Sequence, residues 1–173
     1  MLAKNGLDLD QLLDARAVKL EITGGVPTWE ASPGLRHQWM VQLIERSIRP
    51  SSDTDGECGC ISVADVLIRF KDGSLKRPDI SIFCTLPPLQ DEALSVVPQA
   101  VVEVISPGYE YKDVELNPRF YLAQGIDDVL IVDPRSGAVT HYRTAEENTH
   151  RAPVTVDLQC GCQCTVPQLE ETG

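Results

Sequence analysis

Ala100-Val101-Val102-Glu103-Val104-Ile105-Ser106 is the run from which the architecture can be read. Side chains alternate across a strand, so a run apolar at both parities is covered on both faces of its sheet. It predicts a central strand, broken by Pro107-Gly108-Tyr109. Glu103 is out of place in it, because an ionised carboxylate buried there is strongly disfavoured without a cation or hydrogen-bond donors. A second run, Arg77-Pro78-Asp79-Ile80-Ser81-Ile82-Phe83, sets another carboxylate at the head of an apolar segment. Two such carboxylates predict a site, and first of all a metal site.

Working outward, Val129-Leu130-Ile131-Val132 predicts a second buried strand, stopped by Asp133-Pro134 and followed across Ser136-Gly137 by Ala138 to Arg143. A helix is expected over Asp113–Gln124, between these strands, with Gly125 as its C-terminal stop. Upstream, strands are expected over 61–70 and 76–84, joined by the hairpin signal Lys71-Asp72-Gly73-Ser74. Ser32 opens a helix with Pro33 at its first position and a stripe of Leu35, Trp39, Met40, Leu43, Ile44 and Ile48. Lys19–Thr23 and Val26–Trp29 flank Gly24-Gly25 as two short strands, and Asp8–Ala17 predicts a short polar helix. The tail adds strands at Val154–Leu158 and Gln163–Val166. The pattern is a mixed α/β or α+β fold, with a central sheet flanked by helices and extra strands at both ends.

At 173 residues the chain is expected to form one domain over 1–173, with a core at about 19–143 and a C-terminal β extension at 150–167. Its net charge of −11 argues against a general polyanion binder, although metal-holding carboxylates contribute to that sum. No run approaches the roughly 18 apolar residues of a membrane helix. Met1 to Gly6 lacks the apolar core of a secretory signal, so a cytoplasmic location and no membrane partner are expected.

Cys58-Gly59-Cys60 and Cys160-Gly161-Cys162-Gln163-Cys164 form two cysteine clusters, with Cys84 between them. Their spacing departs from zinc ribbons and fingers, whose paired cysteines stand two to four residues apart. Alternate strand residues share a face, so Cys160, Cys162 and Cys164 are expected to form a small apolar row of free thiols. A thiol-ligated zinc site requires the two clusters to meet in space, and disulfides are not expected in a cytoplasmic protein.

Several stretches, in order, resemble the Uma-type branch of the PD-(D/E)XK nuclease superfamily. They are Leu20-Glu21-Ile22 with Gly25-Val26, Ser32-Pro33 with His37-Gln38, Arg77-Pro78-Asp79, Glu103-Val104-Ile105-Ser106, Asp113, Tyr121 with Gln124-Gly125, and Val132-Asp133-Pro134. The resemblance spans roughly residues 20 to 143 and rests on order and spacing, since no single motif is specific. It implies a restriction-endonuclease-like core, hydrolysis of phosphodiester bonds in DNA, and magnesium or manganese as cofactor. It also implies Asp79, Glu103 and the Val104 carbonyl as metal ligands. A homodimer follows by analogy, because duplex cleavage takes two active sites. A fold of this type that has lost catalysis and serves as a binding or regulatory module is the other reading.

The family pattern sets a lysine two residues beyond the glutamate, where this chain has Ile105. A basic residue on the following helix substitutes in the Uma-type branch, and its matching position here is Asn117. Lys112 is therefore the lysine expected to orient the attacking water, against a plain loop lysine. Glu21 and His37 complete the expected catalytic set with Asp79 and Glu103. Each has a structural alternative: an N–H-accepting carboxylate for Asp79, a buried ion pair with Lys76 or Arg77 for Glu103, an edge-strand residue for Glu21, a packed imidazole for His37. Asp65 is a weaker third carboxylate, Asp113 reads as a helix cap, and Tyr121 reads as core.

Overall fold

The computed structural model describes residues 18–52, 57–108, 110, 114 and 116–170. Strands β1 (Val18–Thr23) and β2 (Val26–Ala31) form the first hairpin, turning through Gly24 and Gly25, both at positive φ. Helix α1 (Leu35–Ser47) follows, then β3 (Arg49–Pro50), β4 (Ile61–Ala64), β5 (Ile68–Arg69), β6 (Leu75–Lys76), β7 (Ile80–Phe83) and β8 (Ala100–Val104). Helix α2 (Asn117–Ala123) leads to β9 (Asp128–Val132), β10 (Ala138–Arg143), β11 (Glu146–Arg151), β12 (Val154–Asp157) and β13 (Cys162–Val166).

Six strands make the main sheet in the order β11-β10-β9-β8-β7-β4. β8 and β9 pair in parallel and the remaining pairs are antiparallel, so the sheet is mixed. The central position of β8 follows from its sequence: all five residues are buried. Val102 and Val104 face one core with Ile80, Ile82, Leu130 and Val132. Val101 and Ile105 face another with Phe83, Tyr121, Val129 and Ile131. α1 covers the first face and α2 the second. Two small sheets, β2-β1-β6-β5 and β12-β13-β3, supply the extra strands near both ends.

Several expectations require correction. The strands expected at 61–70 and 76–84 are each split between sheets: β4 and β7 belong to the main sheet, β5 and β6 to the four-stranded one. Asp65 stands at φ 51, which ends β4, and Pro78 has no N–H to continue a ladder from β6 into β7. The Lys71–Ser74 turn does join β5 to β6, with Phe70 N–H donating to the Ser74 carbonyl at 2.9 Å. α1 is capped at Gly34 rather than Ser32. Its buried stripe is His37, Met40, Val41 and Ile44, whereas Leu35 and Trp39 are 83% and 47% exposed. β3 and the fully exposed β11 carry no alternation and were not anticipated. The helix expected at Asp8–Ala17 lies outside the described residues.

The cysteines also depart from expectation. Cys162 and Cys164 share the buried face of β13 as the alternation requires. Only Cys160 and Cys164 are free; Cys58 is bonded to Cys84 and Cys60 to Cys162. The expectation of free thiols rested on compartment and local spacing. Neither reveals that β13 lies against the 57–60 loop and the end of β7.

Candidate active site

Asp79 follows Pro78 at the entrance of β7, and Glu103 occupies β8 one strand away. The Glu103 side chain points to the α2 face and is 3% exposed. Its Oε1 accepts from Tyr121 Oη at 2.6 Å and Asn117 Nδ2 at 3.4 Å, while Oε2 accepts from the Asp79 backbone N–H at 3.3 Å. Asp79 Oδ2 in turn accepts from the Val104 N–H at 2.8 Å and lies 3.0 Å from His37 Nε2. Each carboxylate is thus anchored on the other's strand.

Lys19, from β1, completes the Asp79 surroundings with Nζ 3.5 Å from Oδ1. Burial opposes the Asp79 charge, but Lys19, His37 and the Val104 N–H together hold its carboxyl below the usual carboxylate range. Burial likewise opposes the Lys19 charge, yet Asp79, Glu103 and Glu21 outweigh it and raise the ammonium above its ordinary value. Burial, then Glu103 and Glu21, push the Tyr121 hydroxyl well up, so it remains a donor.

Glu21 is buried behind this pair. Its Oε1 accepts from the Arg77 backbone N–H at 2.8 Å, and its Oε2 from Lys76 Nζ at 3.2 Å. Lys76 Nζ also donates to Asn117 Oδ1 at 3.0 Å and lies 5.3 Å from the centre of the Phe120 ring. A continuous polar chain therefore runs Glu21, Lys76, Asn117, Glu103, Asp79, Lys19. It opens onto a cleft of about 120 Å³ lined in part by Lys19, Gln38, Asp65, Arg77 and Asp79.

Of the residues singled out in the sequence, Asp79, Glu103, Glu21 and His37 converge here. Val104 is present too, with its N–H committed to Asp79. Lys112 and Asp113 lie outside the described residues. Asp65 sits at the rim in an ion pair with Arg77. Tyr121 is core, as expected, and also holds Glu103. Lys76, considered as an ion-pair partner for Glu103, bonds Glu21 and connects to Glu103 through Asn117. The sequence reading did not place Lys19 at the site, and it named Lys76 only as a structural partner for Glu103 and Asn117 only as the position of a displaced basic residue. Lys19 and Lys76 carried a usable signal, since each is a lone lysine in a short strand run beside an expected site carboxylate.

The donor set suits a hard cation. Buried Glu103 and Glu21 and the mostly buried Asp79 gather carboxylate oxygens beside the Lys19 and Lys76 ammonium groups. Magnesium or manganese takes oxygen ligands and keeps several waters, so Asp79 and Glu103 provide enough protein donors. The close three-ligand groupings among the described residues are of cysteine, elsewhere in the molecule.

The mixed sheet with α1 and α2 on opposite faces is a restriction-endonuclease-like fold. A solved structure, described as "a putative nuclease belonging to DUF820 from Anabaena variabilis ATCC 29413", is similar with a TM-score of 0.58 and 20% identity over 80% of each chain. The family model for Uma2, "putative restriction endonuclease", matches residues 7–166, and the chain belongs to that family. No curated protein matches the chain. Among the described residues, no helix is long and apolar enough to cross a membrane.

Proposed function

We propose that this protein is a divalent-metal-dependent endonuclease that hydrolyses phosphodiester bonds in DNA, with Asp79 and Glu103 as the metal-holding carboxylates. The observation that carries this reading is their mutual anchoring. Two carboxylates on adjacent strands are each braced by a backbone donor at the other's strand, Asp79 by the Val104 N–H and Glu103 by the Asp79 N–H. A magnesium or manganese ion held there, with the Val104 carbonyl as a further oxygen donor, supplies an activated water and relieves charge on the scissile phosphate. The chain's own groups have distinct tasks. Tyr121 and Asn117 orient Glu103. His37 and the Val104 N–H orient Asp79. Glu21 ties the Arg77 backbone, and so the approach to Asp79, to Lys76.

Lys19 is the residue we assign to the positive charge that the family pattern takes from a lysine at the position of Ile105. It stands beside Asp79 at the cleft wall. At the position of Asn117, the pattern's other basic residue is replaced by an amide that holds the Lys76 ammonium. Lys112 is retained as a candidate beside these two. The family description and the similar solved structure support nuclease chemistry. Duplex cleavage takes two such sites, so the reading extends to a homodimer.

The test is nicking of supercoiled plasmid with magnesium or manganese by wild type, Asp79→Asn and Glu103→Gln, with circular dichroism to monitor folding. Metal-dependent nicking that both folded variants lose is the expected result. Nicking unchanged in the variants would remove these carboxylates from the chemistry. Wild-type protein inert on plasmid, single-stranded DNA and RNA would favour a nuclease-fold binding or regulatory protein.

A further inference from the structure

Five of the six cysteines, separated by up to about a hundred residues of chain, gather in two overlapping groups away from the carboxylate cleft. Cys58, Cys60 and Cys162 have their sulfurs within 4.8 Å of one another, as do Cys58, Cys84 and Cys160. Cys58 is shared by both groups. Its Sγ is bonded to Cys84 and also lies 3.3 Å from Cys162 Sγ, which belongs to the other disulfide. Zinc–sulfur bonds of about 2.3 Å imply tetrahedron edges of about 3.8 Å, so the Cys58–Cys162 approach already falls within a cage edge, and opening the bridges frees Cys84 to close onto the Cys60–Cys162 pair.

The backbone is shaped for this meeting. Gly59 packs so closely that an added Cβ would lie 2.8 Å from the Cys84 carbonyl, and its N–H donates to that same oxygen at 2.8 Å. Cys60 adopts φ 47, a conformation uncommon outside glycine, which turns its side chain inward. Gly161, at φ 86, makes the corresponding turn between Cys160 and Cys162. Two Cys-Gly-Cys turns and the end of β7 thus bring sulfur to both sides of Cys58.

We propose that Cys58, Cys60, Cys84 and Cys162, when reduced, bind one zinc ion as a tetrathiolate structural site, and that the two disulfides are the oxidised form of that site. Cys160 stands next to the cage as a spare thiol. Cys164 is outside it; its buried thiol is pushed up to about 12 and does not ionise readily. Opening both disulfides consumes four electrons and four protons, supplied by two equivalents of a dithiol reductant that leave as cyclic disulfides. Zinc binding then releases four protons from the four thiols and leaves a dianionic cage. The ion ties β13 and the 57–60 loop to the end of β7, the strand that carries Asp79 at its other end. This proposal is independent of the nuclease reading.

The test uses the full chain, reduced with a dithiol under anaerobic conditions, desalted, and titrated with zinc alone against a chromophoric chelator, and in parallel with cobalt(II). The expected result is one tightly held zinc per chain, together with the visible bands and near-ultraviolet thiolate charge-transfer absorption of tetrahedral cobalt. Cys58→Ser and Cys162→Ser should lose both signatures, whereas Cys164→Ser and Asp79→Asn should retain them. Oxidation should release the ion. Reduced wild type that takes up no zinc, or cobalt spectra without thiolate charge transfer, would overturn the proposal without reliance on any variant's folding. Cobalt spectra unchanged in Cys58→Ser and Cys162→Ser would overturn it equally.

Discussion

Lys19 is the residue through which the site is most directly tested. It is a cation placed by β1 within 3.5 Å of a carboxylate on a different sheet, and it keeps its charge against burial because Asp79, Glu103, Glu21 and Asp65 lie around it. A preorganised charge aimed at a phosphoryl site commonly contributes about 10²–10³ in rate. Lys19→Ala is expected to lower metal-dependent nicking by about that factor. Lys19→Arg should recover part of the loss. A Lys19→Ala protein that nicks as fast as wild type would transfer the role to Lys76 or Lys112.

At the scale of elements, what joins the strands is a small number of shared polar contacts and close approaches. Asp128, fully buried at the start of β9, accepts from His141 and Arg143 of β10 at 2.7 Å each and from the Gln159 N–H before β13 at 2.7 Å. Burial opposes its charge, but these donors prevail and lower its carboxyl below the ordinary value. A depressed folded pKa contributes stability that is present above the unfolded value of about 3.9 and is lost as pH falls through the folded one. Asp128→Asn should therefore be destabilising at neutral pH, and its difference from wild type should narrow in urea titrations as pH drops below about 4. A difference independent of pH would mean that packing, not charge, governs the position. Gly59 makes the second junction. Gly59→Ala forces a Cβ against the Cys84 carbonyl, a backbone atom that cannot swing away. The expected loss is about 1–3 kcal/mol, measured by chemical denaturation.

For the whole molecule, the disulfides close loops of 26 and 102 residues, and Cys60–Cys162 links the three-stranded sheet to the segment leading into β4 of the main one. Cross-links of that span each stabilise by roughly 3–5 kcal/mol through the unfolded chain. Reduced, metal-free protein is expected to show a lower urea midpoint than oxidised protein at the same pH. Equal midpoints would show that the β12-β13-β3 sheet holds its place by packing alone. The net charge of −11 bears on the molecule as a whole too. It disfavours approach to a polyanion except where Lys19 and Arg77 offset it locally, so on the proposed reading any affinity for DNA should rest on the cleft rather than on a broad basic surface.

Much of this architecture was legible in the residues themselves. The two-faced apolar run at Ala100–Val104 marks the central strand because burial on both faces leaves no polar parity. The same logic marks Glu103 and Asp79 as the carboxylates that need partners. The buried strand at Val129–Val132 and the helix before it were readable for similar reasons, whereas the strand's parallel pairing with β8 was not. What the chain did not disclose is which distant groups supply those partners. Lys19, Lys76 and Asn117 meet Asp79, Glu21 and Glu103 only because β1 and β6 pair beside the mouth of the main sheet. Pro78 and Asp65 divide two apparently continuous strands between sheets, and local pattern does not tell which sheet each half joins. The cysteines were visible as clusters, but their bonding is a matter of distance across more than a hundred residues. Local composition determines which side chains must be buried; only tertiary packing determines what they are buried against.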